Sequence, residues 1–169
     1  MTAKRFLVAL ASAVIVFIQA CGVKYGFTGG SIPEGMKTYT VEFFENTAPI
    51  VYPTLSQSFT EALKDRIRNQ SSLSQVSADG DAIFEGRITG YSITSAAVEA
   101  GTDRAALNRL TITVSVRYTN NIKPEDSFEQ QFSRFKDFAG TVQSQEEALI
   151  RDINEMLTED IFNRAFANW

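Results

Sequence analysis

The 169-residue chain contains no histidine and a single cysteine, Cys21. Without histidine there is no imidazole general base, no Ser-His-Asp or Cys-His nucleophile and none of the usual histidine-based zinc sites. One cysteine cannot make an internal disulfide. The fold must therefore rest on its core, for which about 130 residues beyond a leader suffice. Positive charge is also scarce. The sequence has 16 Lys and Arg against 20 Asp and Glu, and removing Lys4 and Arg5 with a leader leaves 14 against 20, a charge of −6. That lacks the basic field a nucleic-acid partner requires, so none is expected. GxGxxG, P-loop, HExxH and CxxC patterns are absent, and Gly26-Phe-Thr-Gly-Gly30 does not join a strand to a helix, so it does not read as a phosphate loop. No metal or organic cofactor is expected; carboxylate chemistry, or no chemistry at all, remains open.

What the chain does have is a marked N-terminus. Lys4-Arg5 precedes an apolar run from Phe6 to Ile18, followed by Ile18-Gln19-Ala20-Cys21. Charges, an apolar stretch of this length and a small residue before the cut form a signal peptide. A spanning helix needs roughly 20 apolar residues, and Gln19 ends the run too early. Residues 18–21 resemble the bacterial lipobox: aliphatic, variable, small, Cys. The competing reading, an ordinary secretory signal, would leave an unpaired thiol in an oxidising compartment. Lipidation uses that thiol. A diacylglycerol thioether plus an N-acyl chain on Cys21 supplies the multiple chains that stable anchoring takes. The expected division is a signal peptide at 1–20, a lipidated flexible tether at 21–36 and one domain at 37–169. Residue 22 is Gly, not the Asp that resembles an inner-membrane retention signal, and no acidic cluster follows Cys21. The expected location is the outer membrane, lipid-anchored and facing the periplasm.

Periodicity divides the rest of the chain. Residues 37–45 alternate as a half-buried strand, with Tyr39, Val41 and Phe43 on one side. Residues 54–69 carry an i, i+4 stripe of Leu55, Phe59, Leu63 and Ile67, with Thr54-x-x-Gln57 as a capping box. Residues 82–94 alternate again, placing Phe84, Gly86, Ile88 and Gly90 opposite Glu85, Arg87, Thr89 and Tyr91. The two glycines signal a kink or a close backbone approach. After a loop at 95–107, residues 108–119 put Leu110, Ile112, Val114, Val116 and Tyr118 inward and Arg109, Thr111, Thr113, Ser115 and Arg117 outward. Asn120 to Pro124 turn the chain. A strand at 127–138 follows, with Phe128 and Phe132 on one face and a bulge expected at Phe135. Ser144-x-x-Glu147 opens a helix over 144–166, striped by Leu149, Ile153, Met156-Leu157 and Ile161. The order β-α-β-β-β-α predicts an α+β two-layer sandwich, with two helices on one face of a four-stranded mixed sheet whose last three strands form an antiparallel meander.

The charged residues fall on faces where solvation alone explains them. Arg87, Arg109 and Arg117 sit on the outward sheet face; Arg104 and Lys123 sit at loop tips. Glu146, Glu147, Asp152, Glu155, Glu159 and Asp160 follow helical spacing, as a solvated face with dipole partners does. A hydrolase reading would need two facing carboxylates such as Glu42 and Glu85 across a cleft of roughly 5–9.5 Å.

These segments carry a family likeness. Cys21-Gly-Val-Lys-Tyr-Gly-Phe-Thr-Gly-Gly30, Val41-Glu-Phe-Phe-Glu-Asn46, Phe84-Glu-Gly-Arg-Ile-Thr-Gly-Tyr91, Asn108-Arg-Leu-Thr-Ile-Thr-Val114 with Val116-Arg-Tyr118, and Phe132-Ser-Arg-Phe-Lys-Asp-Phe138 together resemble the lipopolysaccharide-assembly lipoprotein LptE family, in particular its Bacteroidetes branch. The resemblance implies an outer-membrane lipoprotein that plugs the LptD β-barrel translocon, aids its folding and helps deliver lipopolysaccharide to the outer leaflet. It carries no catalytic motif. Arg87, Arg104, Arg109, Arg117 and Lys123 are the candidates for contacts with the barrel or with lipid A phosphates. A second reading is an adaptor lipoprotein of another envelope transport complex. Cys21→Ala is expected to block lipidation and leave an unprocessed or mislocalised precursor, seen by mass spectrometry of the membrane fraction as loss of the acylated species.

Overall fold

The computed structural model describes residues 32–96 and 107–167. Six strands and two α-helices form in the order β1 (Thr38–Val41), β2 (Glu45–Asn46), α1 (Leu55–Gln70), β3 (Ser74–Gln75), β4 (Ala82–Ala96), β5 (Leu107–Asn120), β6 (Phe128–Ala139) and α2 (Glu146–Phe166). The sheet order is β3-β1-β4-β5-β6, with β2 also on β4. β1 and β2 run parallel to β4, β3 runs parallel to β1, and β4-β5-β6 form an antiparallel meander. Both helices cover one face, so the expected α+β sandwich is present, with a mixed sheet of six strands rather than four.

The core lies between the helices and the inner sheet face. The α1 stripe Leu55, Phe59, Leu63 and Ile67 and the β5 stripe Leu110, Ile112, Val114, Val116 and Tyr118 are fully buried. From α2, Leu149, Ile150, Ile153, Leu157, Ile161, Phe162 and Phe166 join them. Fully burying one such side chain stabilises by roughly 1.5–3 kcal/mol. Met36 is buried, and Ile32 packs against the same core.

Two of the strand parities expected from alternation invert. The first strand breaks after Val41, so Phe44 enters the core and Phe43 is 58% exposed. The Phe44 ring occupies the space beside Gly86, where a Cβ would lie 2.8 Å from the ring and 2.1 Å from the Ser115 carbonyl oxygen. In β4, the register against β5 slips between Ile88 and Gly90. That bulge turns Tyr91 inward opposite Ile112, whereas unbroken alternation put it outward. The bulge expected at Phe135 is absent. β6 pairs with β5 in continuous register, and Phe135 simply points outward, 47% exposed. The two-residue β3 is too short to show periodicity and was not expected. β4 also runs on to Ala96, where a loop was expected from 95.

Neither expected capping box forms. Thr54 holds the N-cap position of α1 without a side-chain hydrogen bond, and α2 begins after Gln145 rather than Ser144. Gln145 Nε2 instead donates to the Ala139 and Thr141 carbonyls at 2.8 and 3.0 Å, tying α2 to the end of β6. Two further ties close the free edge onto α2. Arg134 grips Asp160 with two bonds of 2.6 and 2.7 Å, and Lys136 reaches Asp152 at 3.3 Å. Charges pointing inward from an edge strand discourage pairing with another chain. Asp160 and Asp152 are thus partners of β6, not merely a solvated helix face.

At the other edge, Asp81 Oδ2 accepts from the Lys37 and Thr38 amides and from the Thr38 hydroxyl, at 2.8, 2.9 and 2.9 Å. These bonds hold the Asp81 carboxyl below its usual range, the Lys37 amide first among them. They also fix where the chain enters β1.

Gly86→Ala is expected to lower stability by about 1–3 kcal/mol through overpacking. Urea denaturation checks this as a lower midpoint with an unchanged slope.

Candidate functional site

The helices leave the outer sheet face open, and the sequence-predicted arginines of β4 and β5 lie there. Arg117 stands at the centre of a row across three strands. Its Nη1 donates to Glu85 of β4 at 3.0 Å, and its Nε and Nη2 donate to Glu129 of β6 at 3.2 and 3.1 Å. The cross-strand register that places Glu85 and Glu129 opposite Arg117 creates this row. Both carboxylates raise the Arg117 pKa, Glu129 more than Glu85.

Arg109 makes a second such unit at the far end of β5. It grips Asp137 with two bonds of 2.7 and 2.9 Å, and its guanidinium carbon lies 3.7 Å from the centroid of the Phe135 ring. The Arg109 hydrogen bond holds the Asp137 carboxyl below its usual range and raises the guanidinium's own pKa. Between the two units, the Thr113 and Ser133 hydroxyls meet at 3.0 Å. Eight residues of strand put the two arginines about 27 Å apart, so they are not one cluster.

Arg87 differs from both. It projects from β4 opposite Ser115 and beside Glu45 of β2. Among the described residues it is absent from every ion pair. It lines a shallow depression of about 370 Å³ with Phe43, Glu45, Glu85, Arg117 and Glu129. Three carboxylates and two guanidiniums leave that depression with one excess negative charge.

Lys123 lies off the sheet face, in the turn between β5 and β6, where its amide donates to Asn120 Oδ1 at 2.8 Å. It borders a small recess with Pro33, Asp126 and Arg164. Arg104 and Cys21 lie outside the described residues. The structure therefore brings together only Arg87 and Arg117 of the expected candidates. Phe43 and Phe135, the exposed aromatics of this face, were not singled out by sequence reasoning. Phe135 was signalled by its broken parity; Phe43 had no such signal, because it continues the alternation of Tyr39 and Val41 and is turned outward only by the break after Val41.

Among the described residues no catalytic constellation emerges. Glu85 is engaged by Arg117, and Glu42 is not part of the depression. Among the described residues no group of three or more Cys, Asp or Glu converges as a metal site, and no helix is long and apolar enough to cross a membrane.

The described residues form a two-layer α+β domain with one open, mostly polar sheet face. The comparisons define it further. The chain belongs to the LptE lipopolysaccharide-assembly family, whose match spans residues 36–165. A search of curated proteins finds no match. Among solved structures, the hypothetical protein CT253 from Chlamydia trachomatis is similar with a TM-score of 0.54 at 8% identity, over 76% of this chain and 94% of that one. A minor lipoprotein from Acinetobacter baumannii is similar with a TM-score of 0.51 at 14% identity, over 76% and 91%. At these identities the likeness carries the fold alone. Family membership makes this chain a component of lipopolysaccharide assembly at the cell envelope.

Replacing Arg117 leaves Glu85 and Glu129 without their shared cation. Arg117→Ala is expected to lower the melting temperature, more at low salt than at high salt, because like charges are then less screened. Arg87→Ala, which breaks no ion pair, is expected to leave it unchanged. Thermal melts at two salt concentrations check both.

Proposed function

We propose that this protein is anchored through lipidated Cys21 in the outer membrane, faces the periplasm, and plugs an LptD-type β-barrel to help deliver lipopolysaccharide to the outer leaflet. The observation that carries the reading is the open sheet face, on a chain of the LptE family. Among the described residues most of its charges are paired along the sheet, Arg117 with Glu85 and Glu129 and Arg109 with Asp137, and the Thr113 and Ser133 hydroxyls meet. Such a surface keeps its own polar groups satisfied when water is thinned against it. The lumen of a transmembrane barrel is polar while its lipid face is apolar, so a polar, self-satisfied sheet suits the lumen wall.

Dimensions agree. At about 3.3 Å per residue, the 15 residues of β4 run about 50 Å, longer than the roughly 30 Å hydrocarbon core of a bilayer. The chain enters β1 at the same end as the Asn120–Lys123 turn, since Asn121 donates its amide to Asp81 and Asp81 holds Lys37 and Thr38. A tether from Cys21 would hold that end toward the anchoring leaflet. The hairpin of β4 and β5 would then run the height of the lumen.

Within this reading the arginines divide. Arg87 has a guanidinium free for a partner carboxylate or a lipid A phosphate. Arg109 and Arg117 would have to give up carboxylates to bind phosphate, so they act first as platform and only second as contacts. Lys123, and Arg104 outside the described residues, remain candidates.

Affinity purification from outer membranes in mild detergent tests the proposal. A large β-barrel is expected to co-purify in equal amount, and depletion of the lipoprotein is expected to lower barrel folding and surface lipopolysaccharide. Recovery of the lipoprotein alone, with normal barrel folding after depletion, overturns it.

A further inference from the structure

The 15-residue β4 is paired along only part of its side away from β5. β1 pairs with it at Ala82, Ile83 and Phe84, and β2 at Arg87 and Ile88, one after the other along the same side. The chain then leaves the sheet through residues 47–54 and crosses to the helical side, where Tyr52 stacks on Tyr91 with ring centroids 6.3 Å apart. Among the described residues no strand pairs with β4 past that point on this side, while β5 continues to pair with it as far as Ala96. Ser92, Ile93, Thr94 and Ser95 are exposed.

The ladder fixes which main-chain groups face the open side. The Thr47 amide donates to the Ile88 carbonyl, so Ile88 turns its main chain away from β5. The bulge at Thr89 resets the alternation. Gly90 then forms a hydrogen-bonded pair with Thr113, as do Ser92 with Thr111 and Thr94 with Arg109. The N–H and C=O groups of Ile93 and Ser95 therefore point away from β5. Donors and acceptors alternating along an edge, with the two residues about 6.6 Å apart, match another extended main chain.

The other edges are guarded. β3 has two residues, and β6 turns Arg134 and Lys136 inward onto Asp160 and Asp152. Short strands and inward charges are how sheets avoid added strands. The stretch from Ser92 to Ser95 has neither charge nor proline, and its Ile and Thr favour strand. Ile93 is 40% exposed there, and Ile50 and Val51, in the segment that leads to Tyr52, are 57% and 60% exposed. The chain's own N-terminal segment does not reach this edge. Pro33 borders the recess at Lys123, at the opposite end of β4, and Ser92 lies ten residues from Ala82, about 33 Å away. The ten residues 22–31 span at most about 36 Å fully extended, all of it used in getting there.

We propose that the open side of β4 from Ser92 to Ser95 receives one extended strand of a partner polypeptide, its main chain bonded to that of Ile93 and Ser95 and its apolar side chains against Ile93. The inference stands on the edge of the sheet and is independent of what the outer face meets.

Hydrogen exchange of the isotope-labelled full chain in mild detergent, read by NMR, tests it in two stages. In the free chain the Ile93 and Ser95 amides are expected to exchange on the order of tenfold or more faster than those of Ser92 and Thr94. Equal protection, as when another part of the chain already covers the edge, overturns the proposal. The probe is then the acetylated and amidated heptapeptide Lys-Thr-Val-Thr-Val-Thr-Lys at millimolar concentration. It is expected to slow exchange at Ile93 and Ser95 severalfold and to leave the β6 amides unchanged. The same peptide N-methylated at every residue, which has no donors, is expected to do nothing. Ile93→Pro removes an outward N–H and no bond to β5, so it is expected to keep the fold and abolish the slowing at Ser95; Ile93→Lys, which adds an edge charge, is expected to weaken it. No slowing, equal slowing along β6, or equal action of the methylated peptide overturns the proposal. Sedimentation as a dimer that Ile93→Pro returns to monomer overturns the partner as occupant in favour of a second copy.

Discussion

Strict alternation along β5 governs this molecule. Its even positions from Leu110 to Tyr118 are fully buried, and its odd positions from Arg109 to Arg117 form the outer face. Both long neighbours take their register from it. A slip of one residue would drive two arginines into the core and expose five apolar side chains, so the register is heavily specified. The ion-paired outer face follows from the same constraint. Arg117 meets Glu85 and Glu129, and Arg109 meets Asp137, only because the core locks the three strands in that alignment. Individually, exposed pairs of this kind contribute little to stability. Their consequence is a surface on which most charges are already answered, Arg87 excepted.

Where alternation fails, it fails locally and with effect. The bulge between Ile88 and Gly90 turns Tyr91 into the helical layer, where it meets Tyr52 and Glu146. One slipped residue thereby links the sheet to the start of both helices. The break after Val41 does the same at the other edge. It sends Phe44 across Gly86 into an edge-to-face contact with Phe59 of α1, with centroids 5.0 Å apart. Both breaks sit beside glycines, which tolerate the close approach that each requires.

The same contrast explains what was legible in the sequence. The stripes of β5, α1 and α2 could be read because one periodicity persists over many residues and only one face is apolar. The direction of Phe44 and of Tyr91 could not be read, because a single extra residue inverts parity without changing composition. β3 has two residues and no period. The capping boxes matched by spacing, yet α2 starts where Gln145 finds the end of β6, so tertiary contact overrode the local signal. For the outer face, alternation placed Arg87, Arg109 and Arg117 correctly. It did not give the pairing partners, which depend on register across strands. The isolation of Arg87 is likewise a property of the assembled fold.

Taken together, the domain has two unlike surfaces. One is a largely polar sheet that carries most of its own counter-charges; the other is the outer surface of the two helices. Membership of the LptE family sets both in the context of lipopolysaccharide assembly, and the reading of the sheet as the surface held against a barrel wall is the central claim. Photo-cross-linking from position 115, at the middle of the outer face, tests it most directly. With a benzophenone side chain in place of Ser115, the account predicts adducts to lumen-facing segments of an LptD-type barrel, mapped by mass spectrometry. Adducts only to an inner-membrane complex, or none in a membrane where barrel and lipoprotein are both present, would contradict it.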